Sequence, residues 1–425
     1  VLKIIGSLLG YVFLLLVTRT AGPQAWGVFA ICLAVLNIAS IISRFGLDVA
    51  LLRYISEFLP DFSKVRDLVK KGIWLVFILS VAISFGLYFL SGVVSNTVFQ
   101  KPNLSPFIQI ISFALIPFSL SLVIAQSFRG LKEIRYFAFF SQPARYFFAI
   151  IFFFSFSYFD FIEQAKVPVY SFSIGMFCVF FSGALLLLRK IDGLKNLTFS
   201  ISISQMIKTA SPMMLSSSIY LLIASIDTIM IGIYSNESDV GIYNVAIRVS
   251  GLVAFSLASI SSISAPKFSE TYNNADKEGF KKFVHESTRL IFLSTIPIII
   301  ILAVFNKYIL LFFGNEFIAG AGVLYILLLG QFSNTFSGSL GFILQMTGNE
   351  KIFRNILALA LIFNIVLNLI LIPKIGIIGA AIASASSLIV WNFLAVIYIR
   401  KVFGFWTFET NFKFTSKLLK KEDEL

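Results

Sequence analysis

Charge is scarce in this chain. Only 13% of its 425 residues are Asp, Glu, Lys or Arg, against about 25% in an average soluble protein, so there is too little polar surface to cover soluble domains of this total length. Cysteine is scarcer still. Cys32 and Cys178 each lie within an apolar run and cannot build a disulfide framework or a zinc site. The single histidine, His285, leaves no His-based metal cluster and no His-containing triad beyond that residue. A Walker-type phosphate loop is also missing, which removes ATP as a direct energy source. What the chain does have is apolar bulk: 58% hydrophobic residues, 49 phenylalanines and a mean hydropathy of +0.91. These values describe an integral membrane protein.

Apolar runs of the length that crosses a ~30 Å hydrocarbon core as helix fall near 4–20, 28–44, 72–93, 107–128, 137–157 and 167–188. Six more fall near 209–234, 243–265, 288–306, 319–346, 353–372 and 377–399. They are apolar on all faces, as helices in lipid must be. The chain opens on Val1 and enters the first run almost at once. A short preceding leader is expected, and a cleaved signal peptide is not, because the first span belongs to the repeat described below. The formal charge of +13 then acquires a meaning. With the N-terminus and every second connection placed on one side, 27 of the 34 Lys and Arg residues collect there and 5 on the other. Arg145 and Arg248 are left inside spans. The asymmetry predicts that both termini are cytoplasmic, and it removes nucleic acid as a partner.

Two stretches of the first half return in the second. Gly27-Val28-Phe29 matches Gly241-Ile242-Tyr243 at an offset of 214. Ile124-Ala125-Gln126 with Gly130, Lys132 and Arg135 matches Ile343-Leu344-Gln345 with Gly348, Lys351 and Arg354, at an offset near 219. A repeat of six helices, an even number, keeps both copies in the same orientation about an axis along the membrane normal. The predicted fold class is therefore all-α, with about twelve transmembrane helices in two six-helix bundles related by a parallel pseudo-twofold. The expected bundles are 1–188 and 205–400, joined by a cytoplasmic linker 189–204 and followed by a basic cytoplasmic tail 401–425.

Leu16-Val17-Thr18-Arg19-Thr20-Ala21-Gly22-Pro23 leading to Trp26-Gly27-Val28-Phe29, then Arg44-Phe45-Gly46-Leu47, resembles the N-terminal signature of polysaccharide flippases. These belong to the multidrug/oligosaccharidyl-lipid/polysaccharide exporter superfamily, whose fold is MATE-like. Ala265-Pro266-Lys267-Phe268, Leu344-Gln345-Met346-Thr347-Gly348 and Gly376-Ile377-Ile378-Gly379-Ala380-Ala381 fit as well. Many relatives have fourteen spans; twelve are expected here. The resemblance implies a transporter that moves an undecaprenyl-pyrophosphate-linked oligosaccharide, such as an O-antigen or capsule repeat unit, across a bacterial inner membrane by alternating access. It implies no catalytic residue and no cofactor beyond a coupling H+ or Na+. Its partners would be the lipid-linked substrate, the bilayer, and a polysaccharide polymerase with its chain-length regulator.

Such a substrate needs cationic and hydrogen-bonding side chains along its path, because phosphate is best matched by arginine and charge within a span is costly enough to mark function. Arg145 lies roughly 13 Å of helix beyond Tyr136, just after Gln142-Pro143, where a proline kinks the helix and frees a carbonyl. It either faces a polar cavity or snorkels to the headgroups. Asp227 and Arg248 fall at similar depth on neighbouring antiparallel spans, which predicts an ion pair. That pair is either a static pin, or Asp227 takes a coupling proton or cation while Arg248 takes the headgroup. Arg19 is a third phosphate candidate, with snorkelling as its alternative. The amides Gln126, Gln142, Asn244, Gln331, Asn334, Gln345, Asn364 and Asn368 suit either substrate contacts or interhelical bonds worth about 0.6 kcal/mol.

Lys267 to Arg289 reads as an interfacial helix carrying an exposed His285. Gly376, Gly379, Ala380, Ala381, Ala383 and Ala385 form a small-residue face for close helix approach. A multidrug/cation antiporter of the same fold would want more intramembrane acids than Asp227. A glycosyltransferase or polymerase would want a long outer loop, and every outer loop is short.

Overall fold

The computed structural model describes residues 2–59, 61–159, 162–191 and 202–408. The helices of the first half are α1 Leu2–Arg44, α2 Leu47–Phe58, α3 Phe62–Phe89, α4 Ser105–Gly130, α5 Ile134–Ser141, α6 Pro143–Phe159 and α7 Val167–Ile191. Those of the second are α8 Ile203–Tyr234, α9 Glu237–Asn273, α10 Lys277–Val304, α11 Asn306–Leu311, α12 Ala321–Ser337, α13 Leu340–Met346 and α14 Glu350–Phe403. Among the described residues, eight helices are long and apolar enough to cross a membrane, and α5 with α6, bent by 45°, makes a ninth if the pair is one span.

The remaining expected spans come from breaks inside helices. α1 is interrupted at Gly22, with φ 74° and ψ −173°, just before Pro23; only glycine reaches that backbone freely, and proline opens the next helix. α14 is broken in the same way at Ile375 and Gly376, the latter with φ 58°. With these two long helices counted as pairs and α8 as the seventh span, the described residues contain the twelve segments expected. The segment 319–346 is not one helix. A left-handed Gly338, φ 81°, separates α12 from α13.

Contacts gather the chain into two units. The first comprises Val1–Arg248, Phe305–Ile326 and Leu361–Ser384; the second comprises Val249–Val304, Leu327–Ala360 and Ala385–Leu425. The boundaries 1–188 and 205–400 rest on sequence symmetry and stand as a proposal. Most of the linker 189–204, and the tail from residue 409, lie outside the described residues.

In the first unit, α1 lies directly on α6. A Cβ on Gly6 would sit 2.8 Å from the Pro143 ring, and one on Gly10 3.1 Å from the Tyr146 ring. Above these contacts Phe13, Trp26, Phe29, Tyr146, Phe153 and Phe172 pack edge to face or tilted, with ring centroids 5.3–6.5 Å apart, the arrangement aromatic quadrupoles favour. The polar positions are paired within the core: Ser43 and Ser119 share a 2.7 Å hydrogen bond between buried hydroxyls. Arg44, a charge at the end of the second apolar run, is paired as well. It is buried against Asp48 in an ion pair that bridges the α1–α2 turn, and its Nε donates to the Ser40 carbonyl at 3.1 Å.

In the second unit, the expected interfacial helix at Lys267 to Arg289 does not form. α9 runs on to Asn273 and α10 starts at Lys277, so this segment is the ends of two long helices and a tight turn. Their aromatics pack on one another: Phe268 lies 6.4 Å from Phe280 and 5.2 Å from Phe283. His285 is half-buried rather than exposed, hydrogen-bonded to the Trp406 carbonyl at 2.7 Å and edge-on to Phe405. The turn after α14, opened by left-handed Gly404, folds back and brings Trp406 to that histidine.

The small-residue face works as packing. Ala380, Ala381 and Ala383 are fully buried, and in the second unit a Cβ on Gly330 would sit 2.9 Å from Ala385 Cα. Gly330→Val should therefore lose about 1–3 kcal/mol through overpacking, read as a lower Tm of the detergent-solubilised protein. A Tm equal to the parent's would mean that the helices are not closely packed at this point.

Candidate functional site

The polar centre of the first unit is built around Arg248. Asn244 and Arg248 are one helical turn apart on α9, so their side chains meet on one face. The Arg248 Nε donates to Asn244 Oδ1 at 3.2 Å, and the Trp26 Nε1 donates to the same oxygen at 3.1 Å. The guanidinium lies 5.1 Å from the Trp26 ring centroid, in cation–π range. Tyr146, on α6, lies within electrostatic range of the guanidinium, and the Tyr11 hydroxyl donates to the Arg248 carbonyl at 2.7 Å. Arg248 is thus oriented by an amide, two aromatic side chains and no acid.

Arg145 is arranged in the same spirit. The α5–α6 break at Gln142, where φ is −148°, leaves the end of α5 with free carbonyls. The Arg145 Nη2 donates to one of them, that of Ser141, as a cation does at a helix C-terminus. Its guanidinium lies 5.5 Å from the Phe118 ring centroid, within electrostatic range of Tyr146 and Arg44. Among the described residues neither Arg145 nor Arg248 forms an ion pair with a carboxylate.

The ion pair expected between Asp227 and Arg248 does not form. Asp227, buried on α8, instead collects three neutral donors. Asn368 Nδ2 donates at 2.7 Å, the Tyr243 hydroxyl at 2.9 Å, and the Ser384 hydroxyl also donates. The two residues do sit on consecutive helices, but rotation about the helix axis carries Asp227 toward α14 and Arg248 toward α1. Three donors match the ionised carboxylate, which only accepts. Asn368 Nδ2 also donates to Asn364 Oδ1 at 3.0 Å, and Asn368 Oδ1 is buried without a partner.

The other candidates are scattered. Arg19 is exposed, and its Nε donates to the Phe312 carbonyl at 2.7 Å and its Nη2 to that of Leu311 at 3.3 Å, closing the end of α11. Gln126 has a buried Oε1 with no partner. Asn334 is buried on α12 and Gln345 exposed on α13, both within the second unit. Half-buried Lys101 donates to the Gly232 carbonyl at 2.6 Å and to that of Ser235, at the end of α8. Burial pulls its ammonium below the usual lysine range, while Glu237 and Asp239 act the other way. Sequence reasoning missed Tyr11, Tyr146 and Ser384, which become partners only in three dimensions. It also missed the pair Arg44 and Asp48, although their i, i+4 spacing was a usable signal.

A family model described as "Polysaccharide biosynthesis protein" matches residues 1–272, and a model described as "MatE" matches residues 212–370. A probable low-salt glycan biosynthesis flippase of Haloferax volcanii is 28% identical over 174 residues, 41% of this chain and 37% of that protein. Among solved structures, a lipid II flippase in an inward closed conformation superposes with a TM-score of 0.78 at 16% identity, covering 94% of this chain and 86% of that one. An inward-facing multidrug resistance MATE family transporter gives 0.79 at 14%, covering 95% and 94%. The fold is MATE-like.

A double-mutant cycle checks the separation of the two charges. Asp227→Asn and Arg248→Gln should add to within about 0.5 kcal/mol in unfolding free energy, measured in detergent. A coupling energy above about 1 kcal/mol would restore the ion pair that the geometry denies.

Proposed function

Because the chain belongs to the polysaccharide biosynthesis protein family, we propose that this membrane transporter flips a lipid-linked oligosaccharide carrying a phosphate or pyrophosphate headgroup. The finer reading is an undecaprenyl-pyrophosphate-linked O-antigen, capsule or exopolysaccharide repeat unit. It would move from the cytoplasmic to the outer leaflet and be delivered to a polymerase and its chain-length regulator. Both termini are then cytoplasmic and the membrane is the bacterial inner membrane.

One observation carries this reading: Arg145 and Arg248 stand among aromatic rings, and among the described residues no carboxylate pairs with either. A cation kept that way inside a span is costly, and an anionic headgroup is the ligand that relieves the cost, through charge-assisted hydrogen bonds. Trp26 and Tyr146, both buried, back the guanidinium and leave its outer edge to the ligand. The isoprenoid tail needs no site, since it stays in the lipid. Gln126, with its unpartnered Oε1, is the proposed hydroxyl acceptor in this scheme. Arg19 contributes to phosphate binding only when it leaves the end of α11.

Asp227 is the proposed coupling group. It is saturated with donors here, so uptake of H+ or Na+ has to rearrange Asn368, Tyr243 and Ser384, which sit on α14 and α9. The same acid also supports the second reading, a cation-coupled multidrug antiporter of the same fold. The two unneutralised arginines favour an anionic cargo.

The test is reconstitution. Proteoliposomes should move a radiolabelled isoprenyl-pyrophosphate oligosaccharide between leaflets, and Arg248→Gln and Arg145→Ala should each slow the initial rate by about tenfold or more, as expected for losing a hydrogen bond to charge. Equal movement in protein-free liposomes would end the proposal. Transport of a cationic dye without the glycan lipid would establish the antiporter instead.

A further inference from the structure

The repeat found in the sequence has a physical counterpart that the proposed substrate site does not use. Gly27 lies four residues after Pro23, the residue that opens the second half of α1 past the Gly22 break. Gly241 lies four residues after Glu237, which opens α9. The two helix starts cross with nothing between their backbones. A Cβ on Gly27 would run into the Glu237 carbonyl, 2.7 Å from its carbon, and a Cβ on Gly241 into the Pro23 carbonyl, 2.9 Å from its carbon. The contact is reciprocal: each glycine faces the first carbonyl of the other helix, and both pairs are related by the same offset of 214.

Such a crossing holds by dispersion and Cα–H···O contacts between small residues. It seals tightly because no side chain intervenes. The neighbourhood adds five hydrogen bonds, from three side chains, that tie chain from the two repeats together. Arg19 donates to the carbonyls of Phe312 and Leu311, Lys101 to those of Gly232 and Ser235, and Trp26 to Asn244 Oδ1. Arg248 lies one turn further along α9, next to Trp26. All of these residues are within the first unit.

We infer that the Gly27–Gly241 crossing is the outer gate of the transport cycle, shut in this structure, which parts to release cargo and recloses because both positions lack a side chain. This rests on the proposed transport function for its purpose, and on the basic-residue asymmetry for which end is outer.

The experiment reads the gate without cargo. In a Cys32→Ala, Cys178→Ala background, Asn244→Cys is labelled by a membrane-impermeant maleimide added from outside to right-side-out vesicles. Gly27→Ala and Gly241→Ala each wedge the crossing and should raise the labelling rate by about tenfold while abolishing glycan-lipid transport. An unchanged labelling rate in inserted, monodisperse protein overturns the gate. Should either alanine variant fail to accumulate, Arg19→Gln reads the same closure by releasing α11, and it must also accelerate labelling; the parent's rate there overturns the inference equally. A chain that moves no glycan lipid yet labels as expected loses the proposed function and keeps the gate.

Discussion

A guanidinium inside a membrane span must be stabilised by whatever surrounds it, and the arrangement of the first unit follows from stabilising two of them without an acid. Arg248 draws together Asn244, Trp26 and Tyr146 from three helices, and Arg145 takes up a carbonyl that the α5–α6 break exposes. Each contact is neutral, so each arginine keeps its charge available. Had Asp227 paired with Arg248, the site would have been self-neutralised and of little use to an anionic headgroup. Burying an ion pair is close to neutral energetically, whereas burying an unmatched charge is not. Retaining the charge is therefore the costly choice, and a ligand that supplies the missing anion gives it a reason.

The acids are handled the other way. Asp48 is satisfied locally by Arg44 across the α1–α2 turn, and Asp227 by three uncharged donors from α9 and α14. The second arrangement can change its protonation or admit a cation without breaking a salt bridge, which suits a coupling group better than the pin that an ion pair would make. Cation and acid are thus separated in space, and in the proposed function one set takes a headgroup and the other an ion. Both hang on α9, through Asn244 and Arg248 toward α1 and through Tyr243 toward Asp227, so movement of that helix reaches both.

Much of the fold was legible in the chain. Apolar runs place the segments, and the glycines at 22 and 376 fall between consecutive runs, where positive φ breaks the helix, whereas the break at Gly338 was hidden inside the run 319–346. Arg145 and Arg248 stood out as charges within spans. What the chain could not reveal was rotation about helix axes: on consecutive helices, Asp227 and Arg248 face different neighbours, a matter of about 100° per residue. Arg44 was hidden by its setting, since a basic residue between two apolar runs reads as a loop charge until Asp48 folds over it. His285 and Lys267 to Arg289 misled for a related reason. A charged stretch between two spans can be a surface helix or simply the ends of both, and packing of Phe268, Phe280 and Phe283 decides it.

The central claim is that unneutralised arginines select an anionic headgroup. It is tested most directly by the affinity of the purified protein for two lipids bearing the same oligosaccharide, one linked through pyrophosphate to an isoprenoid and the other to an uncharged diacylglycerol. Unable to form charge-assisted hydrogen bonds with either arginine, the uncharged lipid should bind about a hundredfold more weakly or worse. Equal affinity for both would contradict the account.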